Sequence, residues 1–157
     1  MPSRFHPRMW SSESGQALVE FALVLPLLLL LLFGMLDFGK AFNYWIDETH
    51  LANEGARWAV VNKNPGSGTL QQYIQGQGDS PELRNGGTSW VPSPAQVCIS
   101  FPSGSSNVGD PVEVTVTVGY NWMPFLGSRL STTNVTVAGT ATMRLEAKPT
   151  NYAAGCT

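Results

Sequence analysis

Gly15-Gln16-Ala17-Leu18-Val19-Glu20-Phe21 opens an apolar run that ends at Leu36. From Phe21 onward the run holds sixteen residues without a charge, six of them the consecutive leucines Leu27 to Leu32. With Ala17 to Glu20 added it reaches about twenty residues, the length at which a helix crosses a bilayer core of roughly 30 Å. Glu20 is the one ionisable group in that span. A charge in lipid is costly, so it requires a partner or a shallow position. Pro26 lies inside the run. It removes the hydrogen bond to the Ala22 carbonyl and favours a kink, which membrane helices tolerate.

The residues on either side give the span a direction. Arg4, His6 and Arg8 precede it, whereas Asp37, Lys40, Asp47 and Glu48 follow. The positive-inside bias then keeps the N-terminus cytoplasmic and the C-terminus extracytoplasmic, in a single pass of the inner (cytoplasmic) membrane. A cleaved secretory signal would need an A-x-A-like site between about Phe33 and Gly39. No such tripeptide is there. An uncleaved plain anchor is the other reading. Only 13% of the residues are charged and the net charge is −2, which lacks the basic surface that nucleic acid binding requires.

Beyond the span, Lys40, Asn43, Asp47, His50, Glu54 and Arg57 step by three and four along one helical face. Phe38, Phe42, Trp45, Ala52, Ala56, Ala59 and Val60 fall opposite. Residues 16–61 therefore read as one N-terminal helix, with a membrane part over 17–36 and a stem over 37–61. Its length from Ala17 to Val61 is roughly 70 Å at helical rise. Gly34, Gly39 and Gly55 are weak points in it or close-packing positions. His50 and Glu54 have i, i+4 spacing, but no third metal ligand accompanies them, and a solvated stripe is the better reading.

Residues 62–95 are rich in turn signals, such as Asn64-Pro65-Gly66 and Asn85-Gly86-Gly87, and read as a loop-rich surface linker. Thr69 to Gln75 has the pattern of one or two helical turns, with Leu70, Tyr73 and Ile74 inward. Three strands follow in residues 96–157. Gln96 to Phe101 alternates with Val97, Ile99 and Phe101 on one face. Val112 to Val118 points four valines one way and Glu113, Thr115 and Thr117 the other. Val135 to Glu146 repeats the pattern, with Val135, Val137, Ala141, Met143 and Leu145 inward. One-sided alternation predicts an antiparallel sheet with one covered face. The fold expected is α+β, a long N-terminal transmembrane and amphipathic helix packed on a small antiparallel sheet of about three strands.

Cys98 and Cys156 both lie on the exported side of the span. An even pair in an oxidising compartment predicts a disulfide, with the C-terminal tail crossing the polar face of the first strand. A loop this long gives a stabilisation of roughly 4 kcal/mol in the chain-entropy picture. Trp122, Met123, Phe125 and Leu126 make an unusually apolar connection between the last two strands. It reads as a cap on the open end of the core, or as a contact surface for a neighbouring subunit or the outer leaflet. No nucleophile–base pair is evident, and His6 and His50 are far apart in the chain. Neither catalysis, a cofactor nor a metal site is expected.

Gly15, with Glu20 five residues on and directly before an apolar helix, resembles the processing site of type IV pilin-like precursors. The wording Gly-Gln-Ala-Leu-Val-Glu-Phe-Ala-Leu-Val-Leu-Pro-Leu-Leu (15–28) is similar to the TadE-like proteins of tight-adherence (Tad/Flp) pilus systems. The resemblance is strongest over 15–61 and again over 112–146, where Tyr120-Asn-Trp-Met-Pro-Phe-Leu126 and Ala-Thr-Met-Arg-Leu-Glu (141–146) share in it. It implies a cytoplasmic leader, residues 1–15, removed by a membrane prepilin peptidase between Gly15 and Gln16. Gln16 stands where the larger type IVa pilins carry Phe. The resemblance further implies that Glu20 pairs with the terminal amine of a neighbouring subunit and fixes axial register, against the plain reading in which it snorkels to the interface. Pro26 would then mark a segment that straightens or melts on assembly. The implied partners are other pilin subunits through the N-terminal helix, the peptidase, the Tad inner-membrane assembly machinery and membrane lipid. The implied role is that of a minor pilin, or pseudopilin, since a major pilin of this system is nearly a bare helix. The alternative is an unprocessed membrane-anchored domain that binds envelope components.

Overall fold

The computed structural model describes residues 13–124 and 134–157. The chain divides into two compact units, Met1–Leu36 and Asp37–Thr157. In the first, helix α1 (Glu13–Val60) begins, and it runs without a break through Pro26. Its apolar residues are uncovered on every side. Leu23 is 75% exposed and Met35 76% exposed, and none of the most apolar window is buried by protein. By length and composition this helix is long and apolar enough to cross a bilayer.

The second unit is the head. It contains the rest of α1, two short helices α2 (Leu70–Gly76) and α3 (Pro81–Asn85), and strands β1 (Gln96–Ser100), β2 (Pro111–Asn121), β3 (Asn134–Arg144) and β4 (Gly155–Cys156). The strands form one antiparallel sheet in the order β3-β2-β1-β4. The expected α+β architecture is therefore the observed one, with a fourth strand from the C-terminal tail. Along β2 the period-two pattern buries Val112, Val114, Val116, Val118 and Tyr120, and Val97 and Ile99 of β1 join them across the ladder. The stem part of α1 covers this face.

The face that α1 presents is not the bulky one. Ala41, Tyr44, Leu51, Ala52, Ala56, Ala59 and Val60 are buried, whereas Phe38, Phe42, Trp45 and Ile46 are exposed. Asp47, expected on the solvated stripe, is buried. The reason is the distance of approach. At Gly139 on β3 an added Cβ would run into the α1 backbone at Glu48 and Thr49, and at Gly55 it would meet Ile74 Cδ1 at 2.6 Å. Where the helix comes this close, opposite Gly139 and at Gly55, only small residues fit, while Tyr44 and Leu51 are accommodated elsewhere along the same buried face. Gly55 is thus a close-packing position, while nothing lies within 4 Å of a Cβ at Gly39. Cover also explains β3. Ala141 is buried, but Val137 and Met143 are half-buried and Val135 is 37% exposed, because β3 is the edge strand and its start stands beyond the helix.

The end of α1 is fixed by Asn62. Its φ of 53° is left-handed, Asn62 N–H donates to the Ala59 carbonyl and Lys63 N–H to the Trp58 carbonyl, both at 3.0 Å. Those two bonds are a Schellman stop with Asn in the place usually held by Gly. The Asn62 side chain then clasps the tail, accepting from the N–H groups of Thr150 and Asn151. Residues 62–95, read as a surface linker, instead pack onto the core through Leu70, Ile74, Leu83, Val91 and Ala95. Thr69 and Gln72 close a capping box on α2. For α3, Asp47 accepts from the N–H groups of Asp79 and Ser80 at 3.1 and 3.2 Å, which accounts for its burial.

Replacing Gly139 with Ala should lower the stability of the detergent-solubilised chain by about 1–3 kcal/mol, the usual cost of overpacking. Gly119→Ala on β2, whose Cβ meets only the Asn134 side chain at 3.4 Å, is the control. Equal denaturation midpoints for the two variants would contradict the close helix–sheet approach.

Candidate functional site

Gly15 and Gln16 lie in the first turn of α1, and among the described residues no atom outside the helix lies within 4 Å of a Cβ placed on Gly15. One turn on, the Gln16 side-chain amide donates to Glu20 Oε1 at 3.1 Å. Gln16 and Glu20 thus share one exposed face of the helix, and Gly15 precedes Gln16 in the same turn. Pro26 follows within the same helix.

At the other end of the apolar run stands Asp37, which sequence reading used only to orient the span. Its carboxylate is 5% exposed and fully engaged. Oδ1 accepts from Tyr120 Oη at 2.7 Å and from Trp90 Nε1 at 3.0 Å, and Oδ2 accepts from Met123 N–H at 2.9 Å. Three donors from two separate stretches of the head, Trp90 and the Tyr120–Met123 stretch, therefore converge on the first residue after the run. Burial, with the Asp37 carboxylate beside it, pushes the Tyr120 hydroxyl well above the usual phenol range. Trp122 packs edge-on to Tyr120 at 5.5 Å and stacks with Phe38 at 6.2 Å. The start of the apolar connection therefore folds against the helix, and Met123 adopts a left-handed φ of 43°. Phe125 and Leu126 lie outside the described residues.

Glu48 is the second residue that sequence reading passed over. It is completely buried in the helix–sheet core, and neither carboxylate oxygen has a hydrogen-bond partner. Burial, with a smaller contribution from neighbouring Asp47, pushes its pKa up from 4.5 to about 8. It is held as the neutral acid near neutral pH. The one signal in the sequence is its place in the heptad-like series 41, 44, 48, 51, 52 and 55, visible only once the small-residue face is taken as the buried one.

Cys98 and Cys156 form a disulfide. The tail does not cross the polar face of β1. It pairs edge-on as β4, with Cys98 opposite Cys156, and Thr157 N–H donates to the Val97 carbonyl at 3.0 Å. Backbone groups at the β1 edge want partners, and a strand in the plane supplies them, which a tail lying across the face would not. His50 and Glu54 line a shallow groove with Asn53, Arg57, Trp58 and Val61. Among the described residues no group of three or more His, Cys, Asp and Glu side chains converges as metal ligands would.

Two measurements check the buried carboxylates. Between pH 4.5 and about 8 the folded protein keeps the Glu48 proton while the unfolded chain has lost it. Stability therefore is greatest below pH 4.5 as far as this group is concerned, and falls as pH rises through about 8. Glu48→Gln should remove that fall, gaining a few kcal/mol relative to the parent at pH 8 and little at pH 4. Parallel pH profiles would exclude Glu48 as the source. Asp37→Ala should cost about 3 kcal/mol or more in the same unfolding assay, since it strands three donors inside the head.

The family model described as TadE-like protein matches residues 15–57. No curated protein and no solved structure matches the chain. The match begins at Gly15, takes in Glu20 and the whole apolar run, and ends one turn short of the Schellman stop. Over the helix that carries the candidate site, the chain is similar to TadE-like proteins.

Proposed function

We propose that this protein is a minor pilin, or pseudopilin, of a tight-adherence type IV pilus. A prepilin peptidase cuts it between Gly15 and Gln16, residues 17–36 hold it in the inner membrane, and the head acts on the extracytoplasmic side in pilus assembly, priming or tip adhesion. The observation that carries this reading is the TadE-like match starting at Gly15 and running along a helix long and apolar enough to cross a membrane. Cutting before Gln16 turns its backbone nitrogen into an amine on the same turn as Glu20. In a bundle of such helices, the Glu20 carboxylate of one subunit pairs with the amine of the next, since a lone charge in an apolar bundle is strongly disfavoured. The sizeable head supports a minor rather than a major role, and a structural rather than a catalytic one.

The competing reading is a permanently anchored domain that binds envelope components and keeps residues 1–15. It is favoured by one feature, the placement of the Gly15–Gln16 bond within a helical turn, where a peptidase must first unwind it.

N-terminal sequencing of protein from cells carrying a tight-adherence system should read Gln16 onward. Gly15→Ala should retain the leader in nearly all molecules. Glu20→Ala should still be cut but should no longer enter or support pili, seen as loss of piliation by electron microscopy. A parental chain that keeps Met1 in such cells rules the proposal out in favour of the anchored domain.

A further inference from the structure

We propose that the end of the head around Asp37 is seated on the membrane, with Phe38, Phe42, Trp90 and Trp122 set in the headgroup region of the extracytoplasmic leaflet. This rests on the reading that residues 17–36 cross the bilayer. No spacer separates the uncharged run from the head. Leu36 ends the uncharged run, and Asp37, the very next residue, is already enclosed by the head through Trp90, Tyr120 and Met123. A pilin-like helix with a free stalk would leave several solvated turns between lipid and head. Here the chain allows none.

Chain geometry then limits how far the surrounding rings stand from the hydrocarbon. At about 1.5 Å of rise per residue, Phe38 is no more than about 3 Å and Phe42 no more than about 9 Å beyond Leu36. Side chains on a helix lean toward its N-terminus, which for Phe38 and Phe42 is toward Leu36. The polar layer on each side of the hydrocarbon is roughly 5–8 Å deep, so both rings reach it. Phe38 is 62% and Phe42 50% exposed. Trp122 stacks with Phe38, and Trp90 is half-buried, its indole N–H on Asp37. Trp90 and Trp122 are rings with one polar tip, the kind that settles at membrane–water interfaces, and Phe38 and Phe42 add exposed apolar area beside them. Lys40 adds a positive charge at the same level, its ammonium 4.1 Å from the Trp90 ring centroid and 3.3 Å from Glu82. The bilayer surface is the one partner that covalent connection places within reach of this collar, which is why it is favoured over a second copy.

Accessibility of nitroxides on the full chain tests this, in nanodiscs of phosphatidylethanolamine and phosphatidylglycerol. Single labels go on Leu28→Cys, Phe42→Cys and Asn53→Cys, with the native disulfide left oxidised. Leu28 should collide with oxygen far more than with a water-soluble nickel chelate, and Asn53 the reverse. The oxygen-to-nickel ratio at Phe42 should lie severalfold above that at Asn53. A Phe42 ratio equal to that of Asn53, with Leu28 lipid-like, overturns the seating while leaving the membrane span intact. A water-like Leu28 sinks the span itself. Dipolar broadening between Phe42 labels that vanishes on dilution with unlabelled chain assigns the surface to a second copy and overturns the proposal too. A second measurement leaves the helix unaltered. Lipids brominated near the headgroup should quench tryptophan fluorescence, and Trp122→Phe should lose a clear share of that quenching while Trp58→Phe loses none. Equal losses for both variants count against the seating.

Discussion

The α1 backbone at Glu48 and Thr49 lies against Gly139 of β3 with no room for a side chain between them. Most other features of the head follow from that approach. Alanines and Gly55 fill the closest part of the contact, Tyr44 and Leu51 lie buried beside it, and Phe38, Phe42, Trp45 and Ile46 are turned outward. The same rotation carries Glu48 into the core without a partner and Asp47 into contact with the start of α3. An acid kept neutral by burial is tolerated because its neutral form costs far less to desolvate than its anion. Backbone proximity, rather than side-chain bulk, therefore decides which face of this helix is the inside.

That explains what could be read from the residues and what could not. The apolar helix needs no tertiary information, because an uncharged run of sixteen residues from Phe21 to Leu36 is a property of the chain alone. The strand pattern of Val112 to Val118 was equally plain, since period two with one polar face survives in any antiparallel sheet. The stem was harder. Phe38, Phe42 and Trp45 outweigh Ala41, Ala52 and Ala56 on any hydrophobicity scale, yet the alanines are buried. Nothing local to the helix says that a glycine ninety residues later will press against it. The region 62–95 looked like a linker because its Gly and Pro residues mask the widely spaced Leu70, Ile74, Leu83 and Val91 that pin it down. Of the candidate site, Gly15, Gln16 and Glu20 were legible as a local pattern. Asp37 was not, because its meaning comes from donors at positions 90, 120 and 123.

Two different kinds of junction hold the head in shape. At one end Asp37 gathers two stretches of the head onto the first residue after the apolar run. At the other, the stop at Asn62 binds the tail through Thr150 and Asn151, while the Val60 carbonyl accepts from Glu146 and Ala147. Each uses polar groups that the helix would otherwise leave unpaired at a boundary. The helix is thereby tied to the sheet at both ends as well as along its length, and the tail that completes this arrangement is itself fastened at β1.

The bond between Cys98 and Cys156 has a mechanical corollary for any protein tethered at one end and pulled at the other. Force applied between the membrane and Thr157 passes from Cys98 directly across sulfur to Cys156. Residues 99–155 sit in a covalent bypass and carry none of the load. Under tension the chain can lengthen only through the portion before Cys98, so the two long strands would keep their pairing even after the stem had been peeled away.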